Sequence, residues 1–392
     1  MSVADRLSAI RARIERLAER DPDFVVFGAS RHEWRLAPPV GPGELEALEA
    51  RHGVGFPDEL RAWLTTVAAS GAGPYYGLVD VRDTTAELGG LWVGEPEAGD
   101  AGSAVHRGHV VIADQGCGYR SVLVLTGPRR GEVFADMRGA LEGFHREAAS
   151  FLGWYEEWLD RALAEWAAEE LPVIVGDPGW GRDDDIDAAA PILERRADPA
   201  APRTAHDDLY PVSQVNRMRA LILLRVYQRE LDDALALIAQ ARAIAEPDAV
   251  AQAQLATARV HAARGDHAGR LAAIEAGLLD ATAWPSTRSE LMRERVRALA
   301  ALGRVDEAND AMLARARDSN SRDDWYDAAW MSLERDDSDR AAAILLEAAA
   351  RHTRSGESVR VVDFAEPLLD ALLRADRASV AELLRARLAS AG

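Results

Sequence analysis

The sequence predicts an α+β N-terminal domain, an antiparallel sheet with packed helices, followed by an all-α helical-repeat domain. Three observations carry that prediction. Over residues 1–170, helical apolar spacing alternates with short β-branched runs bounded by glycine. Residues 171–211 are dense in Pro, Gly and Asp, as in Gly176-Asp177-Pro178-Gly179 and Asp183-Asp184-Asp185. That density breaks both regular elements and predicts a linker. Residues 212–392 are rich in Ala, Leu and Arg and read as helix throughout.

The first helix is expected over residues 6–19, where Leu7, Ile10, Ile14 and Leu17 share one face. Pro42-Gly43-Glu44 opens a second, closed by Gly53, and Pro57-Asp58-Glu59 opens a third. Acids in that first turn complement the helix dipole, and Leu60, Trp63, Leu64 and Val67 form its apolar face. Gly71 and Gly73 end it. Residues 76–81, 109–113, 121–125 and 132–135 are strand-like, and the last three are spaced for an antiparallel three-stranded meander. A long amphipathic helix is then expected over residues 144–166, bearing Phe151, Trp154, Tyr155, Trp158, Leu159 and Leu163.

The C-terminal part shows a weak internal repeat. Residues 218–241, 253–278 and 293–315 each read as helix, turn, helix, with junctions at Arg229-Glu230, Gly265-Asp266 and Gly303-Arg304. A fourth junction is expected around residues 336–341. A period of about 33 to 38 residues is that of tetratricopeptide-like helical pairs, which bury their apolar faces by stacking; an ordinary helical bundle is the alternative. Arg259, Arg264 and Arg297 are expected on solvated faces.

Composition narrows the function. All 46 basic residues are arginine, so chemistry that needs a lysine amine, such as a Schiff base or a P-loop, is excluded. The formal charge of −19 repels phosphate backbones and argues against nucleic acid as a partner. It favours basic partners, because opposite fields steer encounter. The single cysteine, Cys117, rules out an internal disulfide framework and a four-cysteine zinc site. The first residues lack the pattern of a signal peptide, and no run is apolar enough for a membrane span, so a cytoplasmic location is expected.

Several stretches together resemble the SUKH superfamily. They are Phe56-Pro57-Asp58-Glu59-Leu60 with Trp63-Leu64, and then Gly71-Ala72-Gly73-Pro74-Tyr75-Tyr76-Gly77-Leu78. The strand block is similar through Ile112-Ala113-Asp114-Gln115-Gly116-Cys117-Gly118-Tyr119, Leu123-Val124-Leu125-Thr126-Gly127 and Gly131-Glu132-Val133-Phe134. Phe151-Leu152-Gly153-Trp154-Tyr155-Glu156-Glu157-Trp158-Leu159 resembles the closing helix. The resemblance covers residues 5–166 and none of the C-terminal half. It implies an α+β fold and a non-catalytic role: bacterial members are commonly immunity proteins that neutralise toxins, and fungal ones regulate cell-wall assembly.

No pattern points to catalysis. Cys117 would need a histidine base, and His106 and His109 lie upstream across a strand, so a small residue in a glycine-rich hairpin is the better reading. The same three residues lack a fourth zinc ligand. Asp183-Asp184-Asp185-Ile186-Asp187 with Glu194 has the acids of a calcium loop, but Ala188 and Pro191 stand where such a loop differs, which leaves a solvated acidic linker. No cofactor and no metal are expected. Tyr75, Tyr76, Asp114, Gln115 and Tyr119 are the expected partner-contact residues, because they lie on glycine-flanked loops and tyrosine is enriched in interface hot spots; the alternative is that one or both of Tyr75 and Tyr76 pack inward. The expected partner is a protein, a basic toxin domain foremost, with a second protein or peptide on the helical repeat. The alternative is a cytoplasmic regulatory scaffold using both surfaces.

Overall fold

A computed structural model describes residues 1–83, 92, 107–137, 143–175, 181–198, 200, 213–354, 361–374 and 377–391. His106, Gly176-Asp177-Pro178-Gly179 and residues 201–211 of the expected linker lie outside them. The chain divides into an N-terminal unit, Met1–Ile174 with Gly179–Ser213, and a C-terminal unit, Val175–Pro178 with Gln214–Gly392.

In the N-terminal unit, α1 spans Val3–Arg20. Ser2 and Asp5 form a reciprocal capping box at its start, and Leu7, Ile10, Ile14 and Leu17 are buried on the expected face. α2 is a single turn, Ala29–His32. α3 (Pro42–His52) ends at Gly53, whose φ of 64° supplies the left-handed cap. α4 (Asp58–Thr66) buries Leu60, Trp63 and Leu64.

The sheet is a consecutive antiparallel meander of β1 (His109–Gly116), β2 (Tyr119–Val124), β3 (Val133–Asp136) and β4 (Phe144–Ala148). The fourth strand corrects the expectation of three. Phe144-His145-Arg146-Glu147-Ala148 has no alternation and good helix formers, yet Phe134 pairs with Arg146 and Ala135 with His145, so edge pairing decides its state. Residues 76–81, expected as a strand, contribute isolated bridges only, through Leu78 to Gly71 and Ala113.

α5 runs over Phe151–Ile174, later at both ends than expected. Glu59 of α4 accepts the Leu152 N–H at 2.9 Å, closing the start of α5. Its aromatic face forms the core: Tyr155 lies 4.4 Å from Trp63 between ring centroids, and its hydroxyl donates to the Ala72 carbonyl at 2.6 Å.

The expected linker contains a helix, α6 (Asp184–Ala197). Proline and acid density hid an apolar stripe of Ile186, Ala190, Leu193 and Ala197, all buried. Asp183 caps this helix by accepting from Asp185 N–H and Ile186 N–H. Asp185 then receives Arg16 at 2.9 Å and Arg20 at 2.6 Å from α1. The acidic run is therefore a helix cap and a clip onto α1.

The C-terminal unit is built of helical hairpins. Their first helices are α7 (Gln214–Tyr227), α9 (Ala249–Ala263), α11 (Pro285–Ala301), α13 (Arg322–Leu333) and α15 (Val361–Arg374). The returning helices are α8 (Leu231–Arg242), α10 (His267–Leu278), α12 (Val305–Ser319), α14 (Ser338–Arg354) and α16 (Ala378–Ala391). One device repeats at the turns. Arg229, Gly265, Gly303 and Asp336 all have positive φ. The next N–H bonds back five residues: Glu230 to Arg225, Asp266 to His261, Arg304 to Leu299, Asp337 to Ser332. This is the Schellman stop, which satisfies carbonyls that a helix end leaves open. Neighbouring hairpins are tied by ion pairs about one repeat apart, such as Arg264–Asp232 at 2.8 Å and Arg340–Asp310 at 2.6 Å. Arg259, expected on a solvated face, is buried at 4% exposure and held by Glu290. A weakly hydrated, forked guanidinium tolerates such a position when a carboxylate meets it.

Candidate functional site: an aromatic patch with an acidic rim

The segment after α1 wraps around one carboxylate. Asp21 is 1% exposed and accepts the Val25 N–H at 2.6 Å, the Val26 N–H at 3.4 Å and the Trp34 indole N–H at 3.1 Å. Phe24 is held at a φ of 56°. This conformation costs a bulky side chain about 1–2 kcal/mol. It turns Val26 into the core and leaves Phe24, Val25 and Phe27 at 36%, 46% and 50% exposure. At Gly28, φ is 84°, and a Cβ would overlap the Tyr75 carbonyl oxygen, so this loop lies directly against the Tyr75-Tyr76 backbone.

Tyr76 is 40% exposed, and its ring sits 5.5 Å from that of Phe27. Its N–H donates to the Asp114 carbonyl at 3.1 Å, and its ring covers Gly116 closely enough that no Cβ would fit there. The patch thus continues onto the β1–β2 hairpin, whose tip is Cys117-Gly118, both with positive φ. Asp114 is exposed beside it, and Tyr119 is half-buried opposite Gly116.

Two expected contact residues point inward. Tyr75 is 3% exposed, and its hydroxyl donates to Glu147 of β4. Gln115 is buried; its amide donates to Ser121 Oγ at 2.9 Å, and Ser121 donates to Glu147 at 2.8 Å. Burial pushes the Glu147 carboxyl up, against the lowering effect of these donors and of Arg161. The strand pleat explains the correction: Gln115 follows exposed Asp114 and so faces the other way. Asp114 and Gln115 lie at the end of β1 and Tyr119 at the start of β2, not on loops as expected, because the hairpin turn is confined to Cys117-Gly118. Tyr75 and Gln115 support the surface; Tyr76, Asp114 and Tyr119 remain on it.

Carboxylates border the aromatics, with arginines among them. Glu165 of α5 accepts the Phe27 N–H at 3.3 Å. Burial pushes its carboxyl up, with Arg196 and Arg161 opposing. Glu170 is also pushed up, first by burial and then by Asp23. Asp23 is exposed next to Phe24.

Sequence reading missed Phe24, Val25 and Phe27. The signal was present as Phe24-Val25-Val26-Phe27, an apolar run outside any helical or alternating pattern. Such a run reads as core until the fold turns three of its four side chains outward.

The chemical candidates separate. Cys117 is exposed at the hairpin tip, while His109 is buried at the other end of β1, paired with Val124 and packed on Trp92 and Phe144. Seven residues of strand put them roughly 23 Å apart. Among the described residues, no group of three or more His, Cys, Asp or Glu side chains is placed to share a metal ion. Among them also, no helix is long and apolar enough to cross a membrane.

Among the described residues of the C-terminal unit, a groove of about 670 Å³ lies between α11, α12 and α13. Arg293, Arg297, Arg315, Asp323, Asp324 and Asp327 line it together with Val296, Met312, Trp330 and Met331, and Arg315 pairs with Asp324 at 2.5 Å.

Comparison with protein-family models and with characterised proteins finds no match to this chain.

Proposed function

We propose that the protein is a non-catalytic binding protein whose N-terminal unit captures a protein ligand, in the manner of a SUKH-type immunity protein that neutralises a toxin domain. The observation that carries this reading is the aromatic surface of Phe24, Val25, Phe27 and Tyr76, held in water by strained and hydrogen-bonded backbone. Contiguous exposed apolar side chains rimmed by polar ones are what protein interfaces present. The charge of −19 favours fast, salt-sensitive association with a basic ligand. The C-terminal hairpins, tetratricopeptide-like in period, would supply a second protein- or peptide-binding surface.

The second reading is a cytoplasmic regulatory scaffold, and the Arg- and Asp-lined groove of the C-terminal unit favours it. Retention of proteins from native lysate on the full chain, washed at low and high salt, separates the two. The neutraliser reading expects a basic protein that is released by salt and whose toxicity on expression is suppressed by this chain. A non-toxic client whose retention is lost in Trp330→Ala and unaffected in Phe27→Ser establishes the scaffold instead.

A further inference from the structure

Four apolar side chains are exposed together although the local fold had the means to bury them. Val26, in the same run, is 1% exposed. Holding its neighbours outward takes a left-handed Phe24, a buried Asp21 with three donors, and a glycine at position 28 with no space for a side chain. Strain sustained by surrounding structure points to a use for the strained conformation. Here that use is preorganisation: side chains already fixed lose little freedom on binding. The exposed carboxylates of the rim are Asp23 beside Phe24 and Asp114 beside Tyr76, while Glu165 lies buried under the Phe27 backbone near Arg161 and Arg196, and Glu170 lies near both Asp23 and Arg20.

We infer that this patch receives a protein surface on which an aromatic or aliphatic anchor is flanked by arginine or lysine. The inference rests on the protein-binding reading above and names the partner's chemistry. The anchor seats against Phe27 and Tyr76, and the flanking cations meet the carboxylate rim. A second copy of this chain is disfavoured as occupant, since a two-fold contact would set the acidic rim against itself. An anionic lipid surface is disfavoured for the same reason.

The test is selection of a displayed random dodecapeptide library on the full chain, followed by titration of the enriched peptides as synthetic probes. The expected sequences pair an aromatic or aliphatic residue with adjacent arginine or lysine. Phe27→Ser, whose side chain is exposed, is expected to weaken their binding at least tenfold with the fold intact by circular dichroism. Asp23→Asn with Asp114→Asn, both exposed, is expected to weaken it several-fold at low salt, a difference that vanishes at high salt. Enriched peptides that are acidic, or that bind Phe27→Ser as well as the parent, overturn the inference and leave the binding reading standing. A dimer in sedimentation that Phe27→Ser dissociates also overturns it, because a second copy is then the occupant. Enrichment of no peptide at all overturns both.

Discussion

The two units use left-handed backbone for different ends. In the C-terminal unit, Arg229, Asp248, Asn320 and Asp336 take positive φ at helix junctions, with Gly265 and Gly303 in equivalent turns. Any chain that stops one helix and starts another meets this demand, and the residue there needs no further purpose. In the N-terminal unit, the left-handed residues include Phe24, Trp34 and Tyr75, which are bulky aromatics. No helix stop calls for Phe24 or Tyr75; the first sits in a wrapped loop and the second in a turn leading to an exposed ring. Their ion pairs differ in the same sense. Arg6–Glu156 and Arg16–Asp185 close the N-terminal unit across most of its length, whereas Arg317–Glu347 and Arg264–Asp232 link adjacent hairpins. A unit closed by long-range contacts can hold a local conformation that its own residues disfavour, and a nearest-neighbour repeat has no such reserve.

The sharpest way to break this comparison is at glycine. Gly28→Ala puts a Cβ into the Tyr75 carbonyl, at a φ of 84°. It is expected to cost more than about 4 kcal/mol and to abolish the patch. Gly265→Ala meets open space at a φ of 72° and is expected to cost only about 1 kcal/mol. Urea denaturation with hydrogen exchange resolved by unit measures both. Equal losses would remove the distinction.

The next effect is set by pH and belongs to the N-terminal unit. His32 is buried between Trp34 and Trp158, and its Nδ1 accepts the Trp34 N–H at 3.1 Å. Burial pulls its pKa down from 6.5 to about 4. The unfolded chain then binds the proton more readily than the folded one. The contribution is complete above about pH 6.5 and is lost as pH falls through 4, by up to about 3 kcal/mol. His32→Phe loses the acceptor for Trp34 at every pH but is expected to flatten this particular dependence. Exchange protection of residues near Trp34 and Trp158, followed from pH 7.5 to 4, reads it. A parallel loss in the variant would assign the acid sensitivity elsewhere.

The smallest effect sharpens the comparison from the other side. Arg229→Gly and Asp336→Gly relieve left-handed backbone at helix stops and are each expected to stabilise the C-terminal unit by up to about 1 kcal/mol. Phe24→Gly relieves the same kind of strain in the patch, yet is expected to weaken binding of the peptides above. Thermal denaturation and peptide titration of the three variants test whether strain at Phe24 serves display.

Much of the fold was legible because its signals are local. Leu7, Ile10, Ile14 and Leu17 mark the buried face of α1, Gly53 ends α3, and the turns at Gly265 and Gly303 announce the hairpins. Short-range spacing and caps depend on neighbours within one turn, which a sequence displays directly. The errors came where distant partners decide. β4 is a strand because β3 lies beside it, and α6 is a docked helix because Arg16 and Arg20 collect its acids.

The candidate site divides along the same line. The residues alone determined a mixture of helix and strand, a strongly acidic chain without lysine, and Tyr76, Asp114 and Tyr119 as surface candidates, although Asp114 and Tyr119 lie in β1 and β2 and not on the expected loops. Only the tertiary structure decided which side chains meet solvent. It turned Tyr75 and Gln115 inward onto Glu147, and Phe24, Val25 and Phe27 outward onto the acidic rim. Hydrophobicity favours burial for every apolar residue alike; which of them the surrounding structure leaves exposed depends on contacts more than a hundred residues away, such as that of Phe27 with Glu165.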